Sequence, residues 1–138
     1  MIVVYVAGPV RGAAGSNQFQ NVRDALVAAK RLRDAGYCVI VPHYSVLAEI
    51  ACGEDSYEHW IEQDFELIRR SDVLCRLPGE SVGSDAEVAF AEGIGRRVVR
   101  GVDVLVREAR VRASGQVVLV LEGSVGPSGG GGTVSEIE

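Results

Sequence analysis

The chain has 138 residues, 47% of them hydrophobic, a formal net charge of −5 and a pI near 5.1. That length suits a single domain whose core needs neither disulfides nor a structural metal. The acidic balance argues against a groove for a nucleic-acid polymer, which normally demands a basic face, and no apolar run approaches the length of a membrane span.

Ile2-Val3-Val4-Tyr5-Val6-Ala7 is a continuous, largely β-branched run closed by Gly8-Pro9, the pattern of a central strand buried on both faces. The chain enters this run at once, with no basic segment and apolar stretch before it, and a cytoplasmic location is expected. The loop that follows, from Gly8 to Asn17, carries Arg11 and several glycines, so backbone N–H groups and one forked cation can approach a ligand. It lacks both the Walker lysine and the G-x-G-x-x-G spacing.

A first helix is predicted from Ser16 or Asn17 to Gly36, with Leu26, Ala29 and Leu32 on its apolar side. Tyr37-Cys38-Val39-Ile40-Val41 forms the second strand, and Pro42-His43-Tyr44 follows at the sheet edge shared with Gly8. His43 is either a ligand contact or an ordinary polar loop residue. Residues 45–54 are poorly patterned and are read as a flexible flap over the crevice.

Asp55 or Ser56 then caps a helix reaching about Arg70, with Tyr57, Trp60, Ile61, Leu67 and Ile68 as its apolar stripe. Asp64 falls on that stripe, where a carboxylate is expensive unless it is paired with an arginine or placed at a ligand. Trp60 is read as core or as a wall of the crevice. The three cysteines, Cys38, Cys52 and Cys75, are widely spaced, and reduced core thiols are expected. With two histidines and no C-x-x-C or H-E-x-x-H pattern, no metal site is expected.

Val73-Leu74-Cys75-Arg76-Leu77 reads as a third, buried strand, and Pro78 to Asp85 as a turn of small polar residues leading into a helix that holds Glu87 in its first turn. Such strand-loop-helix edges line the ligand crevice of open parallel sheets, and the free N–H groups of the helix favour anions. Ser84-Asp85-Ala86-Glu87 also fits a capping box, in which Glu87 serves only the helix end. The alternative makes Glu87 a nucleophile or acid/base group, with Ser81, Gly83 and Ser84 as donors to a phosphate or sugar.

Arg97-Val98-Val99 is a fourth strand, residues 102–111 a helix, and residues 116–121 a fifth strand. The whole predicts an α/β domain over residues 1–122, a doubly wound five-stranded parallel sheet in the flavodoxin-like order 2-1-3-4-5. Residues 123–138, with four consecutive glycines, are expected to be a disordered Gly-rich tail.

Three segments resemble the nucleoside 2-deoxyribosyltransferase superfamily, and within it the 2′-deoxynucleoside 5′-monophosphate N-glycosidase branch. Ala7-Gly8-Pro9-Val10-Arg11-Gly12 resembles the first-strand loop that contacts sugar and phosphate. Asp64 stands where the family has an aspartate that works with the nucleophile. Ser81-x-Gly83-x-x-x-Glu87 resembles the element in which serine and glycine hold the 5′-phosphate and glutamate attacks the anomeric carbon. The resemblance spans roughly residues 2 to 100. It implies cleavage of an N-glycosidic bond through a covalent glycosyl-Glu87 intermediate, with Asp64 as the acid, no metal or other cofactor, a small-molecule nucleotide or nucleoside as partner, and a homodimer or larger assembly. It departs at Val82, where transferase members often carry an acidic residue. Base exchange by a transferase and a non-catalytic nucleotide sensor are the alternatives.

Overall fold

The computed structural model describes residues 1–11, 17–115, 120–121 and 134–135. Its centre is β1 (Val3–Ala7), which pairs in parallel with β2 (Cys38–Ile40) on one side and β3 (Val73–Arg76) on the other. β4 (Arg97–Arg100) extends the sheet beyond β3, giving the order β2-β1-β3-β4. β1 and β3 are almost wholly buried, as strands covered on both faces must be.

Side chains alternate across these strands and divide the core in two. Val4, Val6, Val73 and Cys75 pack with Ala25, Ala28 and Leu32 of α1 (Gln18–Asp34) and Leu105 of α5 (Asp103–Ser114). Tyr5, Ala7 and Leu74 face the opposite side, against Ile68 of α3 (Tyr57–Arg69) and Val88 and Ala91 of α4 (Val82–Gly93). The register sets Tyr5 opposite Leu74 and Ala7 opposite Arg76. Strand parity therefore turns Tyr5 and Arg76 toward the face that α3 and α4 cover.

Three expectations are corrected. Among the described residues the parallel sheet has four strands; Val120–Leu121 (β5) pairs antiparallel with Val134–Ser135 (β6) instead of joining it. An apolar run specifies a strand but not its neighbour. Of the tail expected from residue 123, only β6 lies within the described residues. Most of the segment read as a flexible flap, residues 45–54, is α2 (Ser45–Cys52), which follows a short 3-10 turn (Pro42–Tyr44). Only Val46 of α2 is buried, while Leu47 and Ile50 are 64% and 66% exposed, so its apolar residues never make the one-sided stripe that announces a helix. Finally, Cys75 is buried but Cys38 and Cys52 are exposed, on an edge strand and at a helix end, and all three are free thiols.

Candidate active site

β1 and β3 are adjacent in the sheet, and their carboxyl ends open into a cleft of about 420 Å³. Its walls are the β1 loop (Gly8, Val10, Arg11), α2 (Ser45, Glu49), α3 (Tyr57, Trp60, Ile61, Asp64) and the start of α4 (Ser81–Ser84), with Glu87 further along α4.

The two loops are fastened to each other. Gly79 has φ 111°, and a Cβ there would stand 2.8 Å from Cγ of Pro9; one on Gly8 would meet Leu77 at 3.2 Å. Only glycine allows the Gly79 approach without strain. Beneath the first loop, Nε2 of His43 lies 3.1 Å from the Pro9 carbonyl, and the Asn21 amide donates to the Val10 carbonyl at 3.0 Å. Burial lowers the His43 pKa, so the ring is neutral and Nε2 carries the proton given to Pro9. The second loop is held by Arg76, whose guanidinium donates to the carbonyls of Leu77 and Gly79 and, at 3.0 Å, to Asp85.

α4 starts at Val82 with Ser81 as its N-cap; the Ser81 hydroxyl accepts from the Ser84 N–H at 3.1 Å. This overturns the capping box on Ser84. The box would need Glu87 three residues after the cap, whereas Glu87 sits in the second turn on a buried stripe with Ser84, Val88 and Ala91. There its side chain reaches the cleft and is 7% exposed as a residue. The Val82 and Gly83 N–H groups belong to the first turn, where a helix offers no internal acceptor.

Behind the cleft Tyr5, Asp64 and Glu87 perturb one another. Burial first, then the Asp64 charge, raises Glu87 from 4.5 to about 8, and Tyr5 and Arg76 pull the other way. Burial raises Asp64 from 3.8 to about 6, against hydrogen bonding from Tyr5 and Glu87. Tyr5 is held well above its ordinary value, by burial and then by the two carboxylates. The three groups sit in hydrogen-bonding range without well-aligned bonds, since the Tyr5 hydroxyl and Oε2 of Glu87 are buried with no partner that meets strict geometry. Near pH 7 the carboxyl pair thus holds one proton. The sequence reading expects Asp64 as the protonated member; burial favours the protonated form at Asp64 as it does at Glu87, which is the more deeply buried and also feels the charge of Asp64.

At the mouth, Glu49 joins two walls. Its Oε1 accepts from Nε1 of Trp60 at 3.0 Å and its Oε2 pairs with Arg11 at 3.3 Å.

Residues 2–100 match the family described as "Domain of unknown function (DUF4406)". The chain belongs to the DUF4406 family. No curated protein matches it. Among solved structures, this DUF4406 chain is similar to a 2-desoxiribosyltransferase from Leishmania mexicana, with a TM-score of 0.51 at 15% identity, over 72% of this chain and 63% of the other. That likeness establishes a deoxyribosyltransferase-like fold, and the DUF4406 chain matches less than two thirds of the neighbour's length.

Of the residues singled out in the sequence, Gly8, Arg11, Trp60, Asp64, Ser81, Gly83, Ser84 and Glu87 all line the DUF4406 cleft. Gly12 lies outside the described residues. His43 does not line it: the ring is buried beneath the β1 loop, because the 3-10 turn after β2 folds inward under Pro9. The arginine partner considered for Asp64 is not found among the described residues; Tyr5 and Glu87 are its neighbours. Sequence reading missed Tyr5, Glu49 and Arg76. Tyr5 and Arg76 are the polar interruptions of two apolar strands, two residues apart in register, and that was the available signal. Glu49 had none, because α2 lacks a periodic stripe.

Proposed function

We propose that this DUF4406 protein breaks the N-glycosidic bond of a (deoxy)nucleoside 5′-monophosphate, or of the corresponding nucleoside, through a covalent glycosyl-Glu87 intermediate. The observation that carries this reading is a carboxyl pair, half-buried Asp64 and buried Glu87, facing one cleft beside a buried tyrosine hydroxyl. Attack on C1′ needs an ionised Glu87, and departure of the base needs an acid. The single shared proton meets both needs when it sits on Asp64. Glu87 then bonds C1′ as the C1′–N bond breaks, and Asp64 protonates the base. Water next attacks C1′ on the face the base has left, opposite Glu87, gives a proton to Asp64 and frees Glu87, the retaining course of carboxylate glycosidases.

Arg11 and the donors of Ser81, Gly83 and Ser84 hold the 5′-phosphate in this reading, supported by the open N–H groups at the positive end of α4. Because the structural neighbour is a deoxyribosyltransferase, a second outcome for the same intermediate is capture of the sugar by another base instead of water.

The deciding experiment incubates the protein with each deoxynucleotide and deoxynucleoside, with and without a free acceptor base. Free base without acceptor supports the hydrolase, and an exchanged product supports the transferase. Binding without turnover of any of them would sink both.

A further inference from the structure

Arg76 is a charged residue in a strand that is otherwise apolar, and its side chain is 7% exposed. Burying a guanidinium is costly unless its donors are matched, and here two loop carbonyls and Asp85 take those of Nη1 and Nη2, while Nε is buried without a partner. Asp85 is 71% exposed, so water screens the counter-charge while the cation stays inside. Strand parity turns Arg76 to the α4 side, where it acts on Glu87 through space. The other ionisable groups facing Glu87 are Tyr5 from β1 and Asp64 from α3; Asp85 lies on its own helix, and β4 turns to that side Val98 and, opposite Arg76 in register, the exposed Arg100.

We propose that Arg76 is a positioning residue that does two things from behind the cleft: it fixes the Leu77–Ser81 loop against the start of α4, and it places a positive charge on the side of the sheet where Glu87 lies. The inference rests on Glu87 being the reacting carboxylate. It assigns the buried arginine a part in the reaction although Arg76 does not line the cleft. The loop is held by the fork of the guanidinium, whereas Glu87 feels only the charge, so substitutions separate the two.

The test is a ¹³C NMR titration of the glutamate carboxyls of the full chain, with Glu87 assigned by its loss in Glu87→Gln. In Arg76→Met, Glu87 should titrate higher by about one unit, the low end of what an adjacent opposite charge does. Arg76→Lys keeps the charge and loses the fork, so Glu87 should titrate near its native value while KM rises. Should Arg76→Met fail to fold, Arg76→Gln replaces it. That change keeps an amide to donate to the loop carbonyls and loses the charge, and Glu87 should again titrate higher.

An unmoved Glu87 in folded Arg76→Met or Arg76→Gln, or a shift in Arg76→Lys as large as in the uncharged variant, would overturn the inference. No substrate is present in the titration. Failure of the native protein to release base therefore counts against the proposed function, and an unmoved Glu87 counts against the role of Arg76. In the active protein, the alkaline limb of the pH–rate profile should follow the titration, moving up in Arg76→Met. The maximal rate should fall about tenfold per unit, as ionised Glu87 becomes rarer.

Discussion

Asp64 on α3 and Glu87 on α4 share one proton at neutral pH, because burial lifts both carboxyls, to about 6 and about 8, and the Asp64 charge adds to the rise at Glu87. The form with one proton is the form the proposed reaction uses. The kcat/KM profile should therefore be bell-shaped, rising through about 6 as the pair loses its first proton and falling through about 8 as it loses the second. A rate that keeps climbing above pH 9 would show that the last proton is not needed.

The same titration makes stability depend on pH. Glu87 binds its proton more tightly when folded, about 8 against 4.5, so its contribution is fully present below pH 4.5 and is lost as pH rises through about 8. The loss is about 1.4 kcal/mol for each pH unit in that window. Glutamine has the shape and no charge to bury. Glu87→Gln should therefore be at least as stable as the native protein at pH 5 and more stable at pH 8, while its turnover falls by several orders of magnitude. Denaturant unfolding at the two pH values checks the first half and base release the second. A variant less stable at pH 8 would mean that Glu87 is held ionised.

How far the sequence carried this picture follows from which signals are local. The β1 and β3 runs and the periodic faces of α1 and α3 are local, and they placed the sheet edge, Asp64 and Glu87. The capping residue of α4 was misread because Ser81 and Ser84 both suit a cap, and the choice depends on where the loop from Pro78 is held by Arg76. His43 was misplaced for a similar reason: its burial under Pro9 is a tertiary contact between two loops. The link between Glu49, Trp60 and Arg11 joins three separate elements, and nothing in any one of them announces it.

Gly79 is where the two cleft loops touch, and replacing it tests whether they move as one body. Alanine there must adopt φ 111° and place a carbon 2.8 Å from the Pro9 ring, which has little freedom to yield. Gly79→Ala should lose about 1 to 3 kcal/mol of stability. If the loops are one unit, KM should also rise, since Pro9 carries Gly8 and Arg11 with it. A stability change within about 0.5 kcal/mol, the usual range for unconstrained surface positions, would show that the loops adjust independently.

Recognition of a 5′-phosphate turns on the balance between Arg11 and Glu49. The Arg11 side chain is 71% exposed and pairs at 3.3 Å with Glu49, whose other oxygen is bound by Trp60. A phosphate entering beside Arg11 meets the guanidinium and the Glu49 charge together. Arg11→Ala should weaken nucleotide turnover relative to nucleoside turnover, by about 1.5 to 3 kcal/mol in kcat/KM for one charge-assisted contact. Glu49→Gln leaves an acceptor for the Trp60 indole and removes the competing charge, so the preference for nucleotide should increase. Trp60 is the single tryptophan of the chain and lines the cleft, so its fluorescence reports binding of each ligand apart from turnover. Equal processing of nucleoside and nucleotide by the native protein, unchanged in both variants, would remove the phosphate from the proposed substrate and leave the glycosidic chemistry of Glu87 standing.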